Sequence, residues 1–283
     1  MSTSIKKIND FVVKPLLKEV SNKHVRGGDL LPICYSNTVL WAGTGGGKSN
    51  CIFRMMEQVA HRCQVIIFSS TINNDQEYKK KMLKMLHKKK CQVEIYDHFI
   101  DEDTGLNRLE ELRKLLQEKH DEPEEKEDNN KVVVQSPVNF GDPPPKKKPI
   151  KKDVVSKNRP LTPELICIYD DLSVDLQNNS VYKLLNKSRH YRMKNIIAIH
   201  ALTDMRPGSW QNVHYILCFG NLPEDKIKDL QIRAGLGYKG DTSKYSVLWD
   251  CYQQATENRF NMLYVDRRGG GLRKNFNEKF LID

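Results

Sequence analysis

Short, continuous apolar runs along the chain alternate with segments in which apolar residues recur every three or four positions. The continuous runs predict strands, at residues 38–42, 64–70, 164–173, 194–201 and 213–220, and the alternating stretch CQVEIYDHF predicts one more at 91–99. The segments with helical spacing predict helices, at residues 49–59, 79–87, 107–119, 180–191, 223–235 and 243–255. The run QVIIFSS at 64–70 lacks polar alternation, which is typical of a strand buried on both faces.

This succession of strands and helices predicts an α/β fold, in which a mostly parallel sheet carries helices on both faces. Two helices show which side should face the core, by their residues Ile52, Met55, Met56 and Val59, and Leu109, Leu112 and Leu116. The stretch FNMLYVDRRGGGLRKNF near the C-terminus predicts a β-hairpin that turns at residues 269–271. We expect a main domain at 36–283 after an N-terminal segment at 1–35.

Two parts of the chain depart from this regular succession. Residues 120–160 hold seven of the twelve prolines and place an acidic block before a basic one. Such a segment buries too little apolar surface to offset its ordering entropy, so we expect a disordered insertion in the main domain. Within it, residues 132–134 favour a short strand. In the N-terminal segment, residues 6–14 predict a short amphipathic helix that ends at Pro15.

Composition narrows the class of protein. With 39% apolar and 29% charged residues, and no run of about 18 apolar residues, the sequence predicts no membrane span. No signal peptide is expected either, because the N-terminus lacks an apolar segment before a cleavage site. The seven cysteines lie far apart without a CxxC pair, which predicts reduced thiols in a reducing compartment and disfavours a cysteine metal site.

Net charge favours an anionic partner. The formal charge is +10 at pH 7, which is typical of, although not specific to, proteins that bind nucleic acid. Three groups of basic residues are candidates for that contact, namely residues 79–90, residues 143–152, and Arg267, Arg268, Arg273 and Lys274 around the glycine turn. A solvated surface is the alternative for each of them.

The stretch WAGTGGGKSN at 41–50 joins a predicted strand to a predicted helix, as a phosphate-binding loop does. Its glycines allow backbone N–H groups to surround an anion, and the helix N-terminus favours negative charge. Lys48 should reach the β- and γ-phosphates of ATP, and the Ser49 hydroxyl should bind Mg²⁺. Ala42 replaces the usual first glycine at the strand end, where a methyl group can be accommodated. The expected nucleotide-binding residues are Gly43, Thr44, Gly45, Gly46, Gly47, Lys48, Ser49 and Asn50.

Two acids follow the apolar run LICIYDD. Asp170, at the strand end, is the candidate to hold Mg²⁺ through water. Asp171 would lie beside the γ-phosphate and orient or deprotonate the attacking water. Because other strand–helix units separate the loop from these acids, the pattern predicts a P-loop NTPase of the additional-strand, RecA-like type. The second acid favours hydrolysis over binding alone.

Three motifs in this order, WAGTGGGKSN, LICIYDD and SRHYRMKNIIAIHA, resemble the FtsK–HerA superfamily of DNA-pumping ATPases. The DNA-packaging ATPases of poxviruses, other large DNA viruses and virophages are the most similar members. The predicted C-terminal hairpin also resembles theirs. The resemblance covers most of the chain outside residues 1–30 and 120–160. Many ATPases share the first two motifs, whereas the third motif and the hairpin are more specific.

The resemblance implies further roles. His200 occupies the place of a polar sensor of the γ-phosphate, where glutamine is more usual, and a core histidine is the alternative. Arg189, or otherwise Arg192, matches an arginine that reaches the nucleotide of a neighbouring subunit. Such an arginine requires a homo-oligomeric ring, a hexamer or pentamer, with double-stranded DNA through its centre. Capsid or portal proteins are the implied partners, and the host cytoplasm, a viral factory or the virion is the implied location.

The expected function is therefore an ATP-driven translocase that packages double-stranded DNA into a capsid. One alternative is a cellular-type DNA translocase or helicase-like motor, which the compact chain without an appended DNA-binding domain disfavours. The other is a protein that binds ATP as a switch for interaction and hydrolyses it negligibly. The paired acids Asp170 and Asp171 disfavour that alternative.

Overall fold

A nine-stranded sheet runs through the structure, a computed structural model that describes residues 24–101, 103–121, 159–236, 245–269 and 271–281. The strands are β1 Asn37–Trp41, β2 Gln64–Ser69, β3 Gln92–Tyr96, β4 Leu165–Asp170, β5 Met193–Ile199, β6 Tyr215–Phe219, β7 Met262–Asp266, β8 Gly271–Lys274 and β9 Glu278–Lys279. The helices are α1 Lys48–Val59, α2 Gln76–Lys88, α3 Arg108–Asp121, α4 Asn179–Asn186, α5 Glu224–Arg233 and α6 Tyr245–Ala255.

The strand order is β3-β2-β4-β5-β1-β6-β7-β8-β9, and the six strands from β3 to β6 in this order are parallel. β5 lies between β1 and β4, with Val39 opposite Ile197 and Cys167 opposite Asn195. The predicted P-loop NTPase sheet, with an additional strand between the loop-bearing strand and the acidic strand, is confirmed. The carboxyl ends of these three strands meet at one edge, where open α/β sheets bind their ligands.

The C-terminal part of the sheet is antiparallel. β6 pairs with β7, and β7 pairs with β8, with Val265 opposite Leu272. The predicted hairpin is therefore confirmed. β9, a two-residue strand beside β8, was not predicted because EK carries no apolar pattern.

The inner parallel strands are more deeply buried than the strand at the edge of the sheet. Every residue of β1, β2, β4, β5 and β6 is buried, whereas β3 at the sheet edge is mostly half-buried. Parallel strands with helices on both faces lose water from both faces, which explains their continuous apolar runs. The interpretation of residues 64–70 as a strand buried on both faces is confirmed.

The helices cover the two faces of the sheet unequally. α1 and α2 pack on one face, and α3, α4, α5 and α6 pack on the other. The predicted core positions are all buried, namely Ile52, Met55, Met56, Val59, Leu109, Leu112 and Leu116. The helical spacing in the sequence therefore gave the correct buried side in both helices.

Residues 24–35 pack against the sheet. Leu31 is fully buried in the core on the α1 side. The buried Lys194 amine on β5 donates to the Ile33 carbonyl at 2.9 Å and to Ser36 Oγ at 2.8 Å. A buried ammonium without acceptors is unfavourable, so these contacts stabilise this part of the N-terminal segment on β5.

One predicted boundary is wrong. We predicted a helix at 180–191, but α4 ends at Asn186 and residues 187–192 form turns. Arg192 has φ 50°, in the left-handed region, and this backbone reverses the chain before β5 begins. Arg189 therefore lies in a turn between α4 and β5, and not at the end of a helix as expected.

Some predictions fall on residues outside the described ranges. These are the helix at 6–14, the strand at 132–134, the basic group at 143–152 and nearly all of the expected insertion at 120–160. Among the described residues, no helix is long and apolar enough to cross a membrane. All seven cysteines are free thiols.

Candidate active site

The glycine-rich loop connects β1 to α1 at the carboxyl edge of the sheet. Gly43, Thr44 and Gly45 are exposed, and Gly47 has φ 99°, a conformation that disfavours any residue with a side chain. α1 starts after Gly47 without a capping side chain and without an acid in its first turn. The N–H groups of that turn have no helical acceptors, so this helix start suits an anion such as a phosphate.

Ala42 is accommodated because Gly46 has no side chain. A Cβ placed on Gly46 would lie 2.6 Å from the Ala42 Cβ, which is too close for two carbon atoms. The Ala42 amide also donates to the Ile199 carbonyl at 3.3 Å, so the residue continues the contact between β1 and β5. The methyl group thus packs beneath the loop, in agreement with the expectation that it lies at the strand end.

Lys48 is buried, with 7% of its surface exposed, and its amine points into the loop. Its Nζ donates to the Ala42 carbonyl at 2.7 Å and to the Gly43 carbonyl at 3.3 Å. Burial lowers the pKa of the ammonium, and the nearby carboxylates of Asp170, Asp171 and Asp204 oppose that shift. The loop therefore holds one cation between backbone oxygens and three acids.

His200 joins the lysine to the second acid. Its Nδ1 lies 3.3 Å from Lys48 Nζ, and its Nε2 lies 3.0 Å from Asp171 Oδ1. An ammonium can only donate, so Nδ1 accepts, and Nε2 carries the hydrogen that is donated to Asp171. The imidazole thus links Lys48 to Asp171 by two contacts, and it lies in the site and not in the core.

Asp171 is held in a strained backbone conformation. Its φ is 58°, which is uncommon for a residue with a side chain. The Ser70 hydroxyl, at the end of the neighbouring β2, donates to the Asp171 carbonyl at 2.6 Å. Aspartate adopts this conformation more readily than most residues, and here it turns the chain at the end of β4. This turn directs the partly exposed carboxylate beside His200 and away from the strand.

Ser49 and Asp170 form the candidate metal pair. Ser49 Oγ lies 3.3 Å from Asp170 Oδ2. Burial raises the pKa of the Asp170 carboxyl, while Lys48 and Ser49 oppose the shift. With the Ser49 hydroxyl as a direct ligand of Mg²⁺, the neighbouring Asp170 carboxylate can accept a hydrogen bond from a water bound to the ion, as the sequence predicts. No cluster of three His, Cys, Asp or Glu side chains with metal-ligand geometry occurs in the described ranges.

Sequence reasoning missed four residues that support the site. Asp204 Oδ2 accepts from the backbone amides of His200, at 2.8 Å, and Ala201, at 2.9 Å. The Trp41 indole donates to the His200 carbonyl at 3.1 Å, and the Tyr78 hydroxyl donates to the Ser49 carbonyl at 3.1 Å. Ser70 is the fourth. Only Asp204 left a local signal, because it is an acid at the third position of a short 3₁₀ turn, five residues after the end of β5, where acids accept from backbone amides.

The structure does not bring the two candidate arginines to this edge. Arg189 and Arg192 precede β5, whose seven residues span about 20 Å before His200. Arg192 Nη1 pairs with Glu164 Oε1 at 2.9 Å. Arg189 is exposed and forms no ion pair with any described residue. Of the two, Arg189 is the one that a neighbouring molecule can contact more freely.

The expected basic groups differ in accessibility. On α2, Lys80, Lys84 and Lys88 are exposed and four residues apart, so they share one face of the helix. At the hairpin, Arg267 Nη1 donates to the Val213 carbonyl at 2.8 Å, and burial lowers its pKa. These contacts hold Arg267 against the backbone, so it is less accessible than the exposed Arg268 next to it.

Several solved structures resemble the chain. The genome packaging NTPase B204 from Sulfolobus turreted icosahedral virus 2 in complex with AMP has a TM-score of 0.49 and 15% identity, over 87% of this chain and 98% of that chain. In complex with AMPPCP, the same protein has a TM-score of 0.46 and 14% identity, over 88% and 100%. B204, the DNA-packaging ATPase from Sulfolobus Turreted Icosahedral Virus, has a TM-score of 0.46 and 14% identity, over 84% and 96%. No family model matches the chain, and no curated protein matches it.

Proposed function

We propose that this chain binds ATP with Mg²⁺ and hydrolyses it. The observation that carries the proposal is the line of contacts from Lys48 through His200 to Asp171, beside the Ser49–Asp170 pair. These side chains come from α1, β4 and the ends of two neighbouring strands, and they meet at one edge of the sheet. An uncapped helix start, a buried cation, a metal pair and an acid are the parts that nucleotide hydrolysis requires.

Each group has a distinct role in this mechanism. The loop amides and Lys48 bind the β- and γ-phosphates, and Ser49 and Asp170 hold Mg²⁺, which neutralises phosphate charge when it is bound. Asp171 accepts a proton from the attacking water or orients it. His200, which donates to Asp171 and accepts from Lys48, keeps the carboxylate beside the γ-phosphate position. Thr44 and Asn50, both exposed beside the loop, complete the expected phosphate contacts.

We propose further that hydrolysis drives double-stranded DNA into a viral capsid. The order of the three motifs and the C-terminal hairpin supports this proposal through their resemblance to packaging ATPases. The formal charge of +10 and the exposed lysines of α2 support an anionic partner that is held through its phosphates. The motor would bind to capsid or portal proteins of the viral particle.

The expected result is that linear duplex DNA stimulates ATP turnover by the full chain. The stimulation should fall as salt increases, because contacts with phosphates release counterions. Steady-state phosphate release, measured with and without DNA at two salt concentrations, tests this. The Lys48→Ala variant keeps the lysines of α2 and serves as the control for contaminating hydrolysis. Turnover that is absent, or that does not respond to DNA in a verified oligomer, would contradict the motor.

We also propose that the chain forms a ring in which Arg189 reaches the nucleotide of the next subunit. Its exposure and its distance from its own site support a role between subunits. Neither Arg189→Ala nor Lys48→Ala subunits alone should hydrolyse ATP, whereas a mixture should recover part of the activity. Recovery occurs because some interfaces then combine an intact Lys48 with an intact Arg189. The matched control is the same mixing experiment with Arg192→Ala subunits in place of Arg189→Ala subunits. A mixture of Arg189→Ala and Lys48→Ala subunits that co-assembles but recovers no activity would exclude this role of Arg189.

A further inference from the structure

One exposed aromatic side chain lies directly against the phosphate loop. Phe260 is 55% exposed, although large apolar side chains usually avoid water. A Cβ placed on Gly47 would lie 3.0 Å from Cδ1 of the Phe260 ring, so the ring is in contact with the last glycine of the loop. None of the hydrolytic roles assigned above uses this ring.

The backbone around Phe260 is built to present the ring. Its φ is 68°, in the left-handed region that bulky residues rarely adopt. The next two residues are held by Asn275, whose Nδ2 donates to Asn261 Oδ1 at 3.2 Å and whose Oδ1 accepts from the Met262 amide at 3.1 Å. A strained residue next to residues held by side-chain hydrogen bonds indicates that the fold determines the position of the ring.

Phe260 lies on the side of the phosphate loop that is opposite to Asp171 and His200. Asp171 and His200 place the γ-phosphate on the side of the loop that faces β4 and β5. From a γ-phosphate in that position, an extended nucleotide can direct its base to the other side of the loop, towards β6 and β7. Phe260 precedes β7, and because β7 is antiparallel to β6, it lies at the same edge as the loop.

Arg259 adds a cation to this surface. Its guanidinium carbon lies 4.6 Å from the centre of the Phe260 ring, within the range of a cation–π contact. The guanidinium lies over one face of the ring and supplies N–H donors of its own, so the aromatic ring is the part of this surface that suits a stacked base. Because every base has a stacking face, such a contact contributes affinity without strong base selectivity.

We infer that Phe260 stacks on the nucleobase of the bound nucleotide. The inference rests on the proposed nucleotide site. The loop and Lys48 bind the phosphates, and Phe260 supplies a separate contact at the base end. The chain should therefore bind a base-bearing triphosphate more tightly than a triphosphate without a base.

Isothermal titration of the full chain with MgATP and with magnesium tripolyphosphate tests this inference. Phe260→Leu keeps apolar volume and the same backbone strain but removes the aromatic face, and Phe260→Tyr keeps that face. We expect Phe260→Leu to raise the Kd for ATP about 10-fold and to leave the Kd for tripolyphosphate unchanged. Phe260→Tyr should bind both ligands as the wild type does. Ile232→Ala, at an apolar residue that is 70% exposed on α5, is the control.

Two results would overturn the stacking contact. One is an unchanged Kd for ATP in Phe260→Leu. The other is an equal rise in the Kd for ATP and the Kd for tripolyphosphate, which would show that the ring only shapes the loop. A wild-type chain that binds neither ligand would instead refute the nucleotide site, and the stacking contact with it.

Discussion

Replacing Asp171 by Asn is expected to lower kcat for ATP hydrolysis by about 10²- to 10⁴-fold, which is the range for the loss of a general acid–base group. The Kd for ATP should change little, because the carboxylate acts on water and not on the phosphates. The amide of Asn can still contact His200, and the Ser70 contact, to the backbone carbonyl, is retained. Single-turnover hydrolysis beside ATP titration separates the two effects.

Asp175→Asn is the matched control for this prediction. Asp175 follows β4, as Asp171 does, and it is partly exposed. Its Oδ2 lies 3.4 Å from His98 Nδ1, and this pair is separate from the contacts of Lys48 and Asp171. Its substitution should leave both kcat and the Kd unchanged. Equal losses in the two variants would indicate a general effect of charge at this edge, and wild-type kcat in Asp171→Asn would remove Asp171 from the catalytic role.

Replacing Lys48 by Ala is expected to lower kcat/KM for ATP by at least about 10²-fold, as the loss of a preorganised donor to a transferring phosphate does. Unlike Asp171→Asn, this variant should also bind ATP more weakly, since the ammonium contacts the phosphates in the ground state. The variant also leaves the carbonyls of Ala42 and Gly43 without their donor. A measurement of Tm should accompany the kinetics, so that loss of the loop contacts is distinguished from unfolding.

Lys228→Ala provides the comparison for the Lys48 variant. Lys228 is a half-exposed lysine that pairs with Glu224 on α5, where a surface ion pair contributes little to stability. Its replacement should not affect ATP binding or turnover. The ATPase proposal is refuted if a folded Lys48→Ala chain hydrolyses ATP at the wild-type rate.

The sequence was sufficient to predict the parallel part of the sheet because five of its six strands are buried on both faces, and the half-buried β3 shows an alternating pattern. Continuous apolar runs have few other interpretations when they alternate with helical spacing, and the six parallel strands were all found. Boundaries that depend on a single backbone torsion were harder to predict. The helix before β5 ends early because Arg192 adopts φ 50°, and no residue type in NKSRHYR indicates that turn.

In the candidate site, too, some residues could be predicted from the local sequence and others could not. Lys48, Ser49, Asp170 and Asp171 lie in short motifs, and the structure brings them to one edge as their positions after strands predicted. The residues that orient them were missed, because their partners are distant in sequence. Ser70 contacts a residue 101 positions away, and Trp41 contacts one 159 positions away. Such pairs appear only when the strand order is known.

The contact between Ala42 and Gly46 also affects how such loops are recognised. The usual motif treats its first glycine as a fixed letter and the four residues that follow as free. In this chain residue 42 carries a methyl group, and residue 46 has to be glycine, because a Cβ there would lie 2.6 Å from that methyl group and 3.0 Å from the Gly43 carbonyl oxygen. The two positions are one steric unit. A pattern that scores them independently would reject a loop whose shape satisfies the same constraint.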